Sequence, residues 1–87
     1  MKRILRFTAS WCGPCKSLAM NLESANLALP IEVVDIDVND NLAREYGIRG
    51  VPTLVMLDEN IEVKRLVGSK TVNELQEWAQ WVKEKAI

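Results

Sequence analysis

Four short stretches of the chain are predicted strands, because they alternate between apolar and polar residues or are rich in β-branched ones. They are residues 2–8, 31–37, 53–57 and 62–67. In the first stretch, Ile4, Arg6 and Thr8 should point to one face of a sheet and the residues between them to the other. A turn at residues 58–60 makes the last two stretches an antiparallel hairpin.

Three further stretches have helical features, and they are residues 15–29, 41–47 and 71–86. Leu18 and Leu22 recur at helical spacing in the first of them. Asn39 is placed to cap the second, while Thr71 and Glu74 form a capping-box pattern at the start of the third. The order βαβαββα predicts an α/β fold with one mixed four-stranded sheet and helices on both faces. The first two strands, joined by a helix, should run parallel.

Composition narrows the classes of protein that need to be considered. The chain has 87 residues, which predicts a single domain over residues 1–87. Charged residues make up 26%, the net charge is −1, and Lys and Arg are scattered, which argues against general binding to nucleic acid or membranes. No apolar run approaches the roughly 18 residues of a membrane span, and the N-terminal one is too short for a signal peptide. We therefore expect a cytoplasmic protein.

The only two cysteines, Cys12 and Cys15, lie three positions apart in the stretch WCGPC. A closed zinc site typically needs four Cys or His ligands, and this chain has two cysteines and no histidine. As a structural crosslink, the pair would close a very short loop and remove little unfolded-state entropy, about 2 kcal/mol. The zinc-site and crosslink interpretations both stay open, but neither accounts for the other features of the stretch.

Redox chemistry is the interpretation that uses them. The pair follows a predicted strand and opens a predicted helix, so that backbone N–H groups and the helix dipole favour a thiolate at Cys12. The thiolate is the nucleophile in disulfide exchange, and Cys15 lies one turn further in. We predict that Cys12 attacks a substrate and that Cys15 resolves the product. Pro14 stiffens the turn, Gly13 keeps its outer surface clear, and Lys16 either adds a nearby positive charge or is an ordinary solvated residue.

Three segments resemble the thioredoxin family. WCGPCK, residues 11–16, is identical to the family's active-site motif; YGIRGVPT, 46–53, resembles its cis-proline segment; NIEVKRLVG, 60–68, resembles its closing hairpin. The resemblance implies a minimal thioredoxin fold and a thioredoxin-type dithiol–disulfide oxidoreductase that reduces protein disulfides. Its redox-active Cys12–Cys15 disulfide would need no other cofactor and no metal. The resemblance further implies thioredoxin reductase as electron donor, substrates such as ribonucleotide reductase, and a monomer.

The resemblance also implies roles for residues outside the motif. Pro52 would take the cis-proline role and set the Val51 backbone beside the disulfide, where it could pair with an extended substrate peptide. Trp11, Ile48 and Val51 would form an apolar rim, although core packing is the other interpretation of Ile48 and Val51. Gly68 would let the chain pass close to the site.

The sequence departs from the family pattern at several positions. The family's first strand and helix are absent, Met20 replaces a kinking proline, Arg6 replaces a buried acid, and Val33 replaces the lysine that partners it. This combination resembles the short, glutaredoxin-sized thioredoxins of some phages, archaea and bacteria. Asp35 should share a sheet face with Arg6, as should Asp37. We predict either a buried Arg6–Asp35 pair that modulates the cysteines or an arginine that extends to solvent.

Two other functions are kept as alternatives. A glutaredoxin-like, glutathione-dependent reductase fits the size of the chain, but glutaredoxins more often carry CPYC, and Gly68 stands alone where they usually have paired glycines. A binding or accessory subunit without redox chemistry could use the same apolar rim to dock a partner. Nothing in the sequence identifies such a partner.

Overall fold

The predicted order of elements is confirmed in the computed structural model, which describes the backbone of residues 1–85 and the side chains of residues 1–80. The strands are β1 Lys2–Thr8, β2 Ile31–Asp35, β3 Thr53–Asp58 and β4 Ile61–Val67. The helices are α1 Gly13–Ala25, α2 Asp40–Glu45 and α3 Val72–Lys85. None of these helices is long and apolar enough to cross a membrane. The predicted end of the last helix, at residue 86, falls outside the described residues.

The four strands form one mixed sheet in the order β2-β1-β3-β4. β1 runs parallel to β2 and antiparallel to β3, and β3 and β4 form the predicted hairpin. The hairpin turn is made by Glu59 and Asn60, whose φ angles of 52° and 68° are the two positive values that a tight hairpin turn requires. β2 is one edge of the sheet, and on it Ile31 and Val33 are exposed, Val33 by 55%.

Helices cover both faces of the sheet, as predicted, and each face has its own core. The side chains that α1 and α3 bury against one face are Ile4, Leu18, Leu22, Ala25, Leu54, Met56 and Leu75. Those that are buried on the other face, where α2 lies, are Leu5, Phe7, Val34, Ala43, Val55 and Leu57. The alternation predicted for β1 is therefore correct, and it places Arg6 on the α1 face together with Ile4.

Three elements end earlier than predicted, and one of them is α2, which stops at Glu45 rather than at residue 47. α1 stops at Ala25 rather than near residue 29, because Asn26 adopts a left-handed conformation with φ 47° and its N–H donates to the Leu22 carbonyl. β2 stops at Asp35 rather than at residue 37, because the Asp35 carboxylate accepts a hydrogen bond from the Asp37 N–H and turns the chain. The expectation that Asp37 shares the strand face of Arg6 is therefore wrong.

Candidate active site

A disulfide joins Cys12 and Cys15 where the end of β1 leads into α1. Cys12 is the N-cap residue of α1, with extended backbone angles, and the Cys15 N–H donates to Cys12 Sγ at 3.1 Å. Pro14 lies in the first turn, where its missing N–H costs no helical hydrogen bond. Gly13 is exposed, and a side chain there would point into open space, as expected from the sequence. Both cysteines are buried, with 4% of Cys12 and 1% of Cys15 exposed to solvent.

The loop before β3 lies directly against the disulfide. The Val51–Pro52 peptide bond is cis, and the Val51 carbonyl oxygen lies 3.7 Å from Cys12 Sγ. The Val51 side chain packs against the cluster of Ala9, Cys12 and Cys15. It also packs against the core on the α2 face, so the two interpretations of Val51, an apolar rim and core packing, are both compatible with its position.

Trp11 is the most exposed aromatic feature of the site. Its side chain is 68% exposed, and its indole Nε1 donates a hydrogen bond of 2.9 Å to Asp37 Oδ2. This bond holds the ring at the surface next to the disulfide, so Trp11 and Val51 form the apolar rim. Ile48 belongs to the other side of the sheet, where it packs on the α2-side core. Of the two interpretations of Ile48, core packing is the one that the structure shows.

Ile36 takes the place against the disulfide cluster that the sequence assigned to Ile48. Neither Ile36 nor the Asp37 carboxylate was identified as part of the site, because both were taken as strand residues. The turn after β2 is what brings them there, since the Ile36 N–H donates to the Thr8 carbonyl at the end of β1. The Asp-Ile-Asp pattern, in which the first carboxylate can cap the turn, is the sequence signal that could have indicated it.

Gly68 lies beside the cis-proline loop, but for a different reason than predicted. Its N–H donates to the Pro52 carbonyl at 2.9 Å, and its φ is +92°. A Cβ built on Gly68 would meet no atom within 4 Å, so the glycine does not serve a close approach of two chain segments. Glycine is needed here for its positive φ angle, because residues that carry a Cβ rarely adopt this backbone conformation.

A charged cleft of about 290 Å³ opens next to Cys15. It is lined by Arg6, Thr8, Ala9, Ser10, Cys15, Lys16, Ala19 and Asp35. The sequence prediction that Arg6 and Asp35 lie near the cysteines is therefore correct in position. Burial lowers the pKa of the Arg6 guanidinium, and no carboxylate within residues 1–80 offsets this effect.

The predicted ion pair between Arg6 and Asp35 is not formed. The residue opposite Arg6 on β2 is Val33, and Asp35 is level with Thr8. The Asp35 carboxylate is engaged by the Asp37 N–H at 2.9 Å, which fixes it at the turn. Arg6 is half-buried, so it does not extend fully into solvent either. Its position is intermediate between the two that were predicted.

No group of three or more Cys, Asp or Glu side chains within the described part of the chain is arranged to hold a metal ion. The chemistry that the site itself offers is the exchange of the Cys12–Cys15 disulfide. At this site the Cys12 sulfur caps a helix and accepts a backbone N–H, and the Val51 carbonyl lies beside it. An apolar rim and a charged cleft adjoin the disulfide.

Comparisons with known proteins agree on one family. The family model described as thioredoxin matches residues 1–81. A thioredoxin of Chlamydia trachomatis serovar D is 40% identical over 75 residues, a match that covers 83% of this chain and 74% of that protein. Thioredoxin C-3 of Corynebacterium nephridii is 36% identical over 73 residues, which are 80% of this chain but only 50% of that protein. The chain thus spans between half and three quarters of these relatives.

The same similarity holds in three dimensions. A mutant thioredoxin from Halobacterium salinarum NRC-1 superposes with a TM-score of 0.84 at 33% sequence identity, covering 92% of this chain and 73% of the other. The four-stranded sheet and three helices described above are therefore arranged as in a solved thioredoxin structure.

Proposed function

This chain belongs to the thioredoxin family, and from that premise we propose that it is a dithiol–disulfide oxidoreductase that reduces disulfide bonds in other proteins. The observation that supports this function most directly is the Cys12–Cys15 disulfide, in which Cys12 Sγ accepts the Cys15 N–H in the first turn of α1 and lies 3.7 Å from the Val51 carbonyl oxygen. A thiolate placed there is stabilised by the helix N-terminus, and a thiolate is the species that attacks disulfides.

The reaction needs only the two cysteines and the substrate disulfide. In the reduced chain the Cys12 thiolate attacks one sulfur of the substrate, which forms a mixed disulfide and releases the other substrate sulfur as a thiolate that takes a proton from solvent. Cys15 then loses its proton and attacks Cys12 Sγ. This step releases the second substrate thiolate and forms the Cys12–Cys15 disulfide. Two electrons have moved from the chain to the substrate, with no cofactor.

The substrate segment binds along the apolar rim of Trp11 and Val51. The Val51 carbonyl, 3.7 Å from Cys12 Sγ, is positioned to accept an N–H from an extended peptide, in the manner of an added strand. Such backbone recognition is independent of sequence, which suits an enzyme that acts on many protein disulfides. The exposed ring of Trp11, held by Asp37, adds apolar contact area.

Thioredoxin reductase is the electron donor in this scheme, and protein disulfides such as that of ribonucleotide reductase are its substrates. The chain acts as a monomer in the cytoplasm, where a reducing environment regenerates the dithiol. These assignments are supported by the family membership and by the thiol chemistry. A glutathione-dependent reductase or a purely binding subunit is not favoured, because the intact CGPC pair and the relatives both indicate disulfide exchange.

Reduction of insulin tests the function. In the presence of dithiothreitol the chain should accelerate insulin precipitation well above the rate with dithiothreitol alone, and Cys12→Ser should abolish the acceleration. Ser17→Ala, an exposed change on the same helix, is the matched control and should keep full activity. Replacing dithiothreitol by NADPH and thioredoxin reductase tests the donor. Activity only with glutathione and a small mixed disulfide would instead indicate the glutaredoxin alternative.

A further inference from the structure

We propose that Arg6 is a positioning residue for the second half of the reaction, because it stabilises negative charge on Cys15 Sγ when Cys15 resolves the mixed disulfide. This role rests on the proposed function. It follows from the charged cleft, which Arg6 and Cys15 line together, whereas Cys12 does not line it and has the Val51 carbonyl 3.7 Å from its sulfur.

The charge of Arg6 is not neutralised by its neighbours. In the sheet it lies between Val33 of β2 and Leu54 of β3, which are both apolar. Among the residues that the structure describes, none forms an ion pair or a side-chain hydrogen bond with Arg6. A guanidinium stays protonated in proteins even when burial lowers its pKa, as it does here. The cleft therefore contains a half-buried positive charge that none of the described carboxylates contacts.

The other charged groups that face the cleft are Lys16 from α1 and Asp35 from the end of β2. The hydroxyls of Thr8 and Ser10 are neutral, and the β3 residue beside Arg6 is apolar. Lys16 is exposed, so water and salt screen its field strongly. The Asp35 carboxylate is partly satisfied by the Asp37 N–H. Two cations and one carboxylate leave a net positive cleft, in which Arg6 is the less screened of the two cations.

A positive charge near a thiol favours the thiolate over the neutral thiol. In the resolving step the Cys15 S–H bond breaks, its proton passes to water in the cleft, and the new S–S bond to Cys12 forms as the substrate thiolate leaves. Arg6 cannot accept the proton, because a guanidinium has no free lone pair for it. Its contribution is to raise the fraction of Cys15 that is ionised at a given pH.

The same charge acts on the redox equilibrium. Thiolates exist only in the reduced chain, so a cation that stabilises them stabilises the reduced state at pH values above the thiol pKa. Stabilising the reduced form makes a dithiol pair a stronger oxidant. Removing Arg6 should therefore make this pair more reducing at a pH above the thiol pKa values and leave it unchanged at a pH below them, where both thiols are protonated.

Titration of the Cys15 thiol tests the proposal in the chain itself, without a substrate. In a Cys12→Ser background, where only one thiol titrates, the ¹³Cβ shift of Cys15 is followed against pH with and without Arg6→Met. The midpoint should rise by at least about 0.5 pH unit, a threefold change in ionisation. With both cysteines present, the reduced-to-oxidised ratio in a dithiothreitol buffer should fall about threefold at a pH above the midpoints.

Four variants make the result decisive. Arg6→Lys keeps the charge and should stay within about 0.2 unit of the parent, whereas Arg6→Gln should match Arg6→Met and replaces it if that variant does not fold. Arg3→Met removes a cation that lies on the same strand as Arg6 and is paired with Glu32. This variant should leave the Cys15 midpoint unchanged. Lys16→Met should shift it less than the Arg6 variants do. Equal shifts in the Arg3 and Arg6 variants, or none in either, would overturn the proposal. Insulin reduction, measured separately, reports on the proposed function itself.

Discussion

The two cysteines of the disulfide have different surroundings. Cys12 is next to the apolar rim, where the Val51 carbonyl lies 3.7 Å from its sulfur and the Trp11 ring is 68% exposed. Cys15 is the cysteine that lines the charged cleft, with Arg6 among its neighbours. Although the two sulfurs are bonded to each other, their surroundings differ over a single helical turn.

The difference indicates a division of labour between the two sulfurs. A sulfur that must meet many protein substrates benefits from backbone recognition and apolar contact, which do not depend on substrate sequence. A sulfur that only attacks its neighbour never has to bind a substrate. What it needs is to become a thiolate at the right moment, and nearby charge supplies that. Each of the following predictions tests one part of this contrast.

The largest effect concerns which sulfur meets the substrate. Cys15→Ser should accumulate stable mixed disulfides with protein substrates, because Cys12 can attack but nothing resolves the product. Cys12→Ser should trap essentially none, because Cys15 is only 1% exposed and lies inside the first turn of α1, whereas the Val51 carbonyl lies beside Cys12 Sγ. Non-reducing gels of each variant after incubation with a disulfide-containing protein measure the adducts. Equal trapping by both variants would show that the two sulfurs have equivalent access and would remove the contrast.

A smaller effect is expected when the apolar rim is damaged. Trp11→Ala should lower kcat/KM for insulin by about tenfold, the loss expected for one aromatic contact of roughly 1.4 kcal/mol. The Trp11→Ala variant should keep the fold, since Trp11 is mostly exposed. Met20→Ala is a matched control, because Met20 is 70% exposed but lies away from the disulfide on α1, and it should leave kcat/KM unchanged. A similar loss in both variants would mean that the rim has no special role.

The smallest effect concerns a charged group that is remote from both sulfurs. The Arg65 guanidinium donates to Glu62 and lowers the pKa of that carboxyl. A lowered folded-state pKa adds stability above the ordinary pKa of a glutamate, and this stability is lost as the pH falls through the folded value. Glu62→Gln should therefore cost about 0.5 kcal/mol in urea unfolding at pH 7 and little under strongly acidic conditions.

The matched control for this variant is Glu45→Gln, a change at an exposed glutamate, which should leave the free energy of unfolding in urea at pH 7 unchanged. The Cys15 midpoint should be the same in both variants, because neither glutamate lines the charged cleft. A shift of that midpoint in Glu62→Gln would show that charges throughout the sheet, and not those of the cleft alone, set the thiol chemistry.

The fold could be predicted from the sequence because its signals are local. Alternation placed Ile4 and Arg6 on the same face, and the capping box of Thr71 and Glu74 is present as two reciprocal hydrogen bonds. The motif residues of the site could be predicted as well, because the strand-to-helix junction alone fixes Cys12 and Cys15.

The parts that could not be predicted depend on turns and on register. The Ile36–Asp37 segment reaches the disulfide only because Asp35 turns the chain out of β2, and strand periodicity does not contain that information. Whether Arg6 and Asp35 pair depends on a register that sets Val33 opposite Arg6. Gly68 illustrates the same limit, since its role is a backbone angle and the sequence suggested a close contact.

The two edge strands of the sheet, β2 and β4, differ in how strongly they discourage pairing with a further strand. This difference matters for any design that enlarges the domain. β4 carries Glu62, Lys64 and Arg65, and its pairing with β3 is irregular at Met56/Leu57, two features that discourage a further strand. β2 also carries a charged residue, Glu32, and both edges expose apolar side chains, but the pairing of β2 with β1 is regular. The regular edge at β2 is therefore the better of the two for a further strand. A fifth strand added by protein design should be placed beside β2, and a lysine at position 33 should block its addition.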